Sequence, residues 1–319
     1  MEALIKQASN VYKENFKQEC VFERALFLSW YCSKGDCKFC YMSTQKALIK
    51  NPKKARRSMA SILAETIISK ACGWQIEFIS GGYESFSIEE LQTIVKNVKL
   101  ITGKKQWLNI GTLAQNKLSG FLPDIQGYIG TLECVNPTLR ERICPSKPLD
   151  EIEKTFVACD KLGLKKGVTV IIGLGETLDD FDFLKQYIKK YNIARITFYS
   201  LNPQKGTIFT KSPNINYYEK WIAKTRIEFP KIHIVAGAWH DKIDYYSRLL
   251  LAGANNITKF PVLKFFGTKE AKAVENQIKL AGRKFNSTFT KMPVLDLNGL
   301  DSDVAEKVKQ YFKKMHVCA

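Results

Sequence analysis

The sequence has no long hydrophobic run and no segment that resembles a secretory leader. No stretch of its 319 residues approaches the ~18 uninterrupted apolar residues that a transmembrane helix needs. Residues 1–16 carry lysine and glutamate and contain no apolar core of the kind found in a signal peptide. We therefore expect no membrane span, a short amphipathic N-terminal helix and a cytoplasmic protein.

Histidine and acidic residues are also scarce. The chain has three histidines, and its 31 acidic residues face 49 lysines and arginines, which gives a formal net charge of +18. Such a balance raises the question of nucleic-acid binding. However, the one dense basic patch, residues 46–57, contains no aromatic side chain that would stack on a base. A solvated, lysine-rich surface that attracts anionic substrates or an acidic electron donor is the simpler interpretation.

A disulfide framework is absent from the cysteine pattern. The nine cysteines are an odd number, and outside one short loop they are scattered along the chain. This usage indicates a reducing compartment. We expect Cys134, Cys144 and Cys159 to be mostly packing residues, because free cysteine is commonly buried.

The most informative feature is a loop with three cysteines, Cys32, Cys37 and Cys40, which follows the strand-like residues 25–30. Soft sulfur ligands suit a zinc ion or a [4Fe–4S] cluster, and both have four corners to fill. The loop offers three thiols and no histidine lies nearby, so a metal centre here keeps one open coordination position. An open position indicates a catalytic rather than a structural metal site. The alternatives are buried free cysteines, or a zinc knuckle completed by a distant residue such as Cys72.

Strand-like and helical patterns alternate along most of the chain. The strand-like stretches are residues 25–30, 75–80, 106–111, 127–132, 167–172, 195–200, 231–236 and 252–257. The helical stretches are residues 58–72, 87–100, 149–162, 177–190, 216–229, 241–250 and 269–281, with a short one near 113–121. Ser87 and Glu90 have the spacing of a capping box at the start of one helix. This alternation predicts βαβ units and a parallel sheet.

Eight such units over about 250 residues predict an α/β fold of the (β/α)₈, or TIM-type, barrel. A six-unit open barrel is the alternative, because the helix near 113–121 is short and is interrupted by Gly120 and Pro123. We divide the chain into an N-terminal helix (1–19), the barrel (20–282) and a tail (283–319) that packs on the barrel, with one helix near 302–315.

In such a barrel the functional residues lie on the loops that follow the strands. The first strand leads to the cysteine loop. The later strand ends carry Ser80, Gly81, Gly82 and Tyr83, then Glu133, Ile171 and Gly173, Asn202, the Trp239–His240–Asp241 stretch, and residues 253–256. His240 and Asp241 are either a proton-transfer pair or a helix cap with a surface imidazole, and we interpret His233 as a structural histidine.

The cysteine loop, with Phe39 before its last cysteine, resembles the cluster loop of radical S-adenosylmethionine (SAM) enzymes. Its spacing, C-x-x-x-x-C-x-x-C, is one residue longer in the first gap than the usual C-x-x-x-C-x-x-C. The motifs S-G-G-Y, L-E, I-x-G-x-x-E, N-P-x-x-G-T and G-A-N-N follow in the order found in the biotin synthase-like group, which includes the hydrogenase maturase HydE and PylB. The resemblance spans residues 20–260 and implies the barrel of radical SAM enzymes.

The resemblance also implies roles for individual residues. Cys32, Cys37 and Cys40 would hold a [4Fe–4S] cluster and SAM would bind the fourth iron. The other cofactor contacts would be Phe39, Tyr41, Ser80, Gly81, Gly82, Tyr83, Glu133, Ile171, Gly173 and Asn202. The carboxylate of SAM would use Lys147 or Arg142.

The implied activity is reductive cleavage of SAM to methionine and a 5′-deoxyadenosyl radical, which abstracts hydrogen from a small substrate. A ferredoxin or flavodoxin would supply the electron. The lengthened gap and the C-K-F-C-Y-M sequence are similar to the radical SAM protein of [Fe]-hydrogenase (Hmd) cofactor biosynthesis in methanogens, HmdB, or a paralogue. Two other hypotheses stay open: the chain is a zinc-stabilised basic nucleic-acid-binding protein, or it is a radical SAM enzyme that acts on RNA. A second metal site using Cys134 or Cys318 is also open.

Overall fold

The computed structural model describes residues 2–317. Strands β2 to β9 form one parallel sheet in chain order, each hydrogen-bonded to the next. The strands are β1 Glu19–Cys20, β2 Glu23–Phe27, β3 Gln75–Ser80, β4 Gln106–Asn109, β5 Ile125–Glu133, β6 Lys165–Ile172, β7 Arg195–Ser200, β8 His233–Gly237, β9 Asn256–Thr258 and β10 Lys284–Phe285. A parallel bridge between Phe22 and Ile257 brings the first and last barrel strands together. The predicted eight-unit barrel is confirmed, and the six-unit alternative is wrong.

Helices surround this sheet. They are α1 Glu2–Asn15, α2 Tyr41–Gln45, α3 Met59–Ala71, α4 Ile88–Thr102, α5 Gln115–Ser119, α6 Pro137–Ile143, α7 Leu149–Lys161, α8 Phe181–Tyr191, α9 Ile215–Glu228, α10 Tyr245–Leu251, α11 Val262–Phe265, α12 Lys269–Leu280 and α13 Ser302–Val317. Short 3₁₀ turns span Pro52–Ala55 and Leu178–Asp180. No helix in the described part of the chain is both long and apolar enough to cross a bilayer.

Local sequence signals explain several helix boundaries. The Ser87 hydroxyl accepts a hydrogen bond from the Glu90 amide at 3.2 Å, and the Glu90 carboxylate accepts one from the Ser87 amide at 2.7 Å. This reciprocal pair is the predicted capping box, and it satisfies two amides that the first turn of α4 leaves without helical partners. Gly163 follows α7 with φ +66°, a left-handed geometry that glycine adopts without a steric penalty.

The last barrel strand begins later than the sequence suggests. Residues 252–257 were expected to form it, but β9 spans Asn256–Thr258; Gly253, which was expected to close a helix, follows the end of α10 with φ +103°. The Asn255 side-chain oxygen accepts hydrogen bonds from the Ile234 amide and from Arg226, which fixes the helix-to-strand turn. Residues 253–256 therefore lie at the N-terminal end of the barrel, and the expectation that they face the functional site is wrong.

Both ends of the chain pack on the helical layer. α1 lies against α9 and α10, and α13 lies against α3 and α11. The Tyr311 hydroxyl of α13 is 2.9 Å from that of Ser61 and accepts a hydrogen bond from Arg57 at 3.1 Å. The pair β1–β10 holds the start of the tail below the barrel, at the N-terminal ends of the strands.

A packed layer inside the barrel separates its two ends. Phe78, Trp107 and Ile129 form this layer, with Ala25 and Tyr199 against it. Because bulky side chains fill the interior, the barrel is a packed core rather than a channel. A cavity at one end therefore does not continue to the other.

A buried ionic network lies at the N-terminal end of the barrel. Glu23 is 1% exposed, pairs with Arg195, and accepts hydrogen bonds from His233 at 3.0 Å and Asn256 at 2.6 Å. Burial alone would raise the pKa of the Glu23 carboxyl, but Arg195 and the hydrogen bonds outweigh it and lower that pKa to about 2. The carboxylate is thus held charged by two buried partners, Arg195 and Asn256, and by the half-buried His233.

We predict that Glu23→Gln lowers the free energy of unfolding at pH 7 by about 3–5 kcal/mol, because Arg195 is left as an uncompensated buried charge. Since the folded-state pKa is depressed, this stabilisation is complete above the usual pKa of 4.5 and declines as pH falls towards 2. Urea unfolding at pH 7 and pH 3 measures both effects. The control, Glu228→Gln, weakens two partly exposed ion pairs, with Lys185 and Lys189, and should cost about 1 kcal/mol or less; an equal cost for both variants would contradict the prediction.

Candidate active site

A cavity of about 470 Å³ opens at the C-terminal ends of the barrel strands. Twelve of the thirteen residues predicted for the site line it: Cys32, Cys37, Phe39, Cys40, Tyr41, Ser80, Gly81, Gly82, Tyr83, Glu133, Ile171 and Asn202. They come from five different strand ends, so the parallel sheet brings together residues that are up to 170 positions apart in sequence.

Gly173 lies behind the cavity wall. Its backbone, at φ +109°, turns the chain after β6, and its amide donates a hydrogen bond to the Glu176 carboxylate at 2.7 Å. The Leu174 amide donates to the other oxygen of the same carboxylate at 2.8 Å. Burial raises the pKa of Glu176, and these amide donors act against the rise. The I-x-G-x-x-E segment therefore shapes the loop that supports Ile171.

Backbone hydrogen bonds hold the cysteine loop in place from two sides. The Ser33 amide donates to the Tyr83 carbonyl at 3.1 Å, which ties the loop to the S-G-G-Y segment. The Lys38 amide donates to the Ile143 carbonyl at 2.9 Å, which ties it to the end of α6. The loop is thus fixed to the neighbouring strand-end loops rather than free in solvent.

Gly82 is required by close packing against the cysteine loop. A Cβ atom at this position would lie 2.0 Å from the Tyr31 carbonyl oxygen and 2.7 Å from the Cβ of Cys32. Contacts this short cannot be relieved by moving a flexible side chain, because one partner is backbone. Glycine at position 82 therefore allows the two loops to lie in direct contact.

The three loop thiols differ in environment. Cys32 and Cys37 are buried and Cys40 is half-buried. A hydrogen bond with the Cys144 thiol, and the nearby charge of Lys147, lower the pKa of Cys37. Burial raises the pKa of Cys40 to about 11. Cys144 was expected to be a packing residue, and it is buried, but it also contacts Cys37 of the cysteine loop.

The arrangement fits a [4Fe–4S] cluster by its donor chemistry. Cys32, Cys37 and Cys40 border one cavity, and soft thiolates are the ligands such clusters take. Among residues 2–317, no three His, Cys, Asp or Glu side chains are gathered closely enough around one point to hold a metal ion as they stand. The loop therefore presents three thiols to one cavity, although they do not converge on a single point in this structure.

Neither Cys72 nor Cys134 completes the set. Cys72 follows α3 at the opposite end of the barrel, so it cannot be the fourth ligand of a zinc knuckle. Cys134 is buried in the apolar cluster behind the wall and does not line the cavity. Cys318, the other candidate for a second metal site, lies outside the described residues.

Glu133 ends β5 in an unusual conformation. Its φ is +60°, and the pairing with β6 shifts register between Thr131 and Glu133. The carboxylate accepts a hydrogen bond from Thr169 at 3.5 Å and lies 3.9 Å from the Lys147 ammonium. Burial would lower the pKa of Lys147, but the charges of Cys37 and Glu133 raise it. Glu133 and Lys147 thus form a charged pair on the cavity wall.

The structure separates the two cations that were candidates for a carboxylate ligand. Lys147 lines the cavity and its side chain is largely buried. Arg142 is exposed on α6 and is not part of the cavity wall. Of these two cations, only Lys147 is placed to meet a ligand in the cavity.

His240 and Asp241 do not form a proton-transfer pair. The His240 ring is exposed and stacks on Phe265 at 4.9 Å between ring centres, while Asp241 pairs with Lys242 at 3.1 Å. His233 bonds to Glu23 at the other end of the barrel, as expected for a structural histidine. Trp239 does line the cavity.

Sequence reasoning missed several cavity residues. Lys259 lines the cavity as the first residue after β9. It was missed because residues 253–256, which precede this strand, were assigned to the functional end of the barrel. Tyr199 and Ser200 line it from β7, and Thr131 and Thr169 from β5 and β6. The alternation of inward-facing positions along β7 was the signal that could have found Tyr199.

The basic patch at residues 46–57 is partly used within the fold. Arg56 pairs with Glu90 at 3.0 Å, and Arg57 pairs with Glu65 at 2.6 Å. These arginines brace the barrel helices. The patch therefore offers little support for the nucleic-acid-binding alternative.

Comparisons with known proteins agree with this site. No family model matches the chain. The chain is 44% identical to an uncharacterised protein of Methanocaldococcus jannaschii over 92% of its own length and 83% of that protein. It is 30% identical to the biotin synthase of Clostridium tetani over 70% of each chain. The crystal structure of methylornithine synthase (PylB) has the same fold, with a TM-score of 0.73 at 20% identity over 89% of this chain and 88% of that one.

The match to biotin synthase extends over more than two thirds of both chains. The chain therefore belongs to the radical SAM superfamily, among its biotin synthase-like members, and it is an enzyme with a [4Fe–4S] cluster and SAM as cofactors.

Proposed function

We propose that Cys32, Cys37 and Cys40 each bind one iron of the cluster and that the fourth iron is left for SAM. The observation that supports this assignment most is that all three thiols, and the S-G-G-Y loop packed on them through Gly82, border one cavity at the catalytic end of the barrel. When bound, the cluster and SAM supply a 5′-deoxyadenosyl radical and methionine. The residues of this chain bind and orient the reactants and exclude water from them.

The remaining cavity residues would bind SAM in defined places. Backbone carbonyls of the loop from Ser80 to Tyr83 would accept hydrogen bonds from its amino group, and Lys147 would pair with its carboxylate. Glu133 is held by Lys147 and Thr169 and would contact SAM from the β5 side. Phe39, Tyr41, Ile171 and Asn202 line the rest of the pocket and would surround the adenosine.

We further propose that the substrate is a small polar or anionic molecule and that the reaction serves cofactor biosynthesis. The lengthened cysteine gap and the C-K-F-C-Y-M sequence favour the guanylylpyridinol cofactor of [Fe]-hydrogenase, as for HmdB or a paralogue. The electron donor would be a ferredoxin or flavodoxin, attracted by the net charge of +18. Hydrogen abstraction from the substrate would take place inside the cavity.

We predict that anaerobic reconstitution with iron and sulfide gives about four irons per chain and a broad absorption in the blue. Cys37→Ala should abolish both, because two remaining thiols cannot hold the cluster in place. Iron analysis and absorption spectra measure the outcome. Cys159→Ala is the matched control, since Cys159 is buried in α7 and does not line the cavity. Purified protein that carries one zinc and no iron would contradict the proposal and favour a zinc-stabilised binding protein.

We also predict that Lys147→Met raises the dissociation constant of SAM by ~10- to 100-fold, because a charge-assisted hydrogen bond to the SAM carboxylate is lost. Arg142→Met should leave SAM binding unchanged, because Arg142 is exposed on α6. Binding of SAM to the reconstituted proteins, with iron content measured in parallel, distinguishes weaker SAM binding from loss of the cluster. A larger effect from Arg142→Met than from Lys147→Met would reverse the assignment.

A further inference from the structure

Lys259 is a charged residue of the cavity that has no assigned role in binding the cluster or SAM. It is the first residue after β9 and lines the cavity from the barrel strand that closes the sheet. Its backbone lies in the left-handed region, with φ +74°. Lysine rarely adopts this conformation, and residues held in it often belong to functional sites.

The neighbouring strand is shaped to accommodate this side chain. A Cβ atom on Gly237 would lie 2.8 Å from Cγ of Lys259 and 2.7 Å from the Tyr199 ring. The Lys259 ammonium lies 4.4 Å from the centre of the Tyr199 ring, within the range of a cation–π contact. Glycine at position 237 thus leaves the space in which lysine and tyrosine pack together.

The carboxylate that could neutralise Lys259 is bonded elsewhere. Glu77 is fully buried, and its two oxygens accept hydrogen bonds from Tyr199 at 2.7 Å and Thr258 at 2.6 Å. Within residues 2–317, Lys259 has no carboxylate within 4.0 Å. Burial lowers the pKa of Lys259, whereas Glu77 and Glu133 act to raise it. The ammonium is therefore poorly solvated and lacks a direct counter-ion.

We propose that Lys259 binds the carboxylate of a small carboxylic acid substrate. This assignment rests on the proposed function, because the cysteine loop and Lys147 account for the SAM side of the cavity and leave Lys259 for the reactant. A single ammonium matches the single charge of a carboxylate, whereas a phosphate dianion would remain partly unneutralised. The acid would then be oriented with its anionic end towards β9 and the rest of the molecule towards the cysteine loop.

The test uses the reconstituted protein with SAM and without a reductant. Ligand-observed NMR titrations compare propionate, benzoate and nicotinate with propionamide, benzamide and nicotinamide, which have nearly the same shape and no charge. At least one acid should bind about tenfold more tightly than its amide, because only the acid makes a charge-assisted bond. Lys259→Met should remove this preference and Lys259→Arg should retain it. Lys165→Met, on an exposed lysine at the opposite end of the barrel, is the matched control and should behave as the unmodified protein.

The inference is overturned if no acid is preferred over its amide, or if the preference survives Lys259→Met. If Lys259→Met does not fold, as judged by circular dichroism, Lys259→Gln takes its place with the same expected result. Because the measurement needs no radical chemistry, a reconstituted protein that fails to cleave SAM would count against the proposed function alone. The two proposals therefore fail through different observations.

Discussion

The parallel alignment of eight strands is the constraint on which the rest of the molecule depends. Because each strand runs in the same direction, all the strand-end loops meet at one end of the barrel, and residues from Cys32 to Lys259 line a single cavity. The layer of Phe78, Trp107 and Ile129 closes that cavity from below. The other end of the barrel is then free to carry a structural network, which is where Glu23 and Arg195 pair.

Buried charges are neutralised to different extents at the two ends of the barrel. At the N-terminal end, Glu23 has a full set of partners, so its contribution is to stability. At the C-terminal end, Glu133 and Lys147 are 3.9 Å apart and Lys259 has no close counter-ion. Incompletely satisfied charges in a cavity are costly, and ligands with matching charges would relieve that cost. The fully paired carboxylate thus lies at the N-terminal end of the barrel, and the incompletely paired charges lie in the cavity at the C-terminal end.

Hydrophobic alternation was sufficient to predict the barrel and most of its strands. β3 and β7 have the predicted boundaries, since their apolar runs end in polar residues at both sides. The start of β9 was missed because the apolar run continues through Gly253 and Ala254, which tertiary hydrogen bonds assign to a turn. The cysteine loop was found because its chemistry is local. Lys259 was not, because its importance arises from Gly237 and Tyr199, which are distant in sequence.

The longer first gap between the cysteines is accommodated by contacts of Lys34 and Asp36 with neighbouring loops and with α7. The Lys34 ammonium bonds to Glu151 at 2.9 Å and lies 4.5 Å from the Tyr83 ring centre. The Asp36 carboxylate accepts a hydrogen bond from the Ser146 amide at 3.1 Å. These contacts hold the additional residue against α7 and the loop before it, so that Cys32 and Cys37 both remain on the cavity wall. The departure from the usual spacing is therefore compatible with both thiols bordering the cavity.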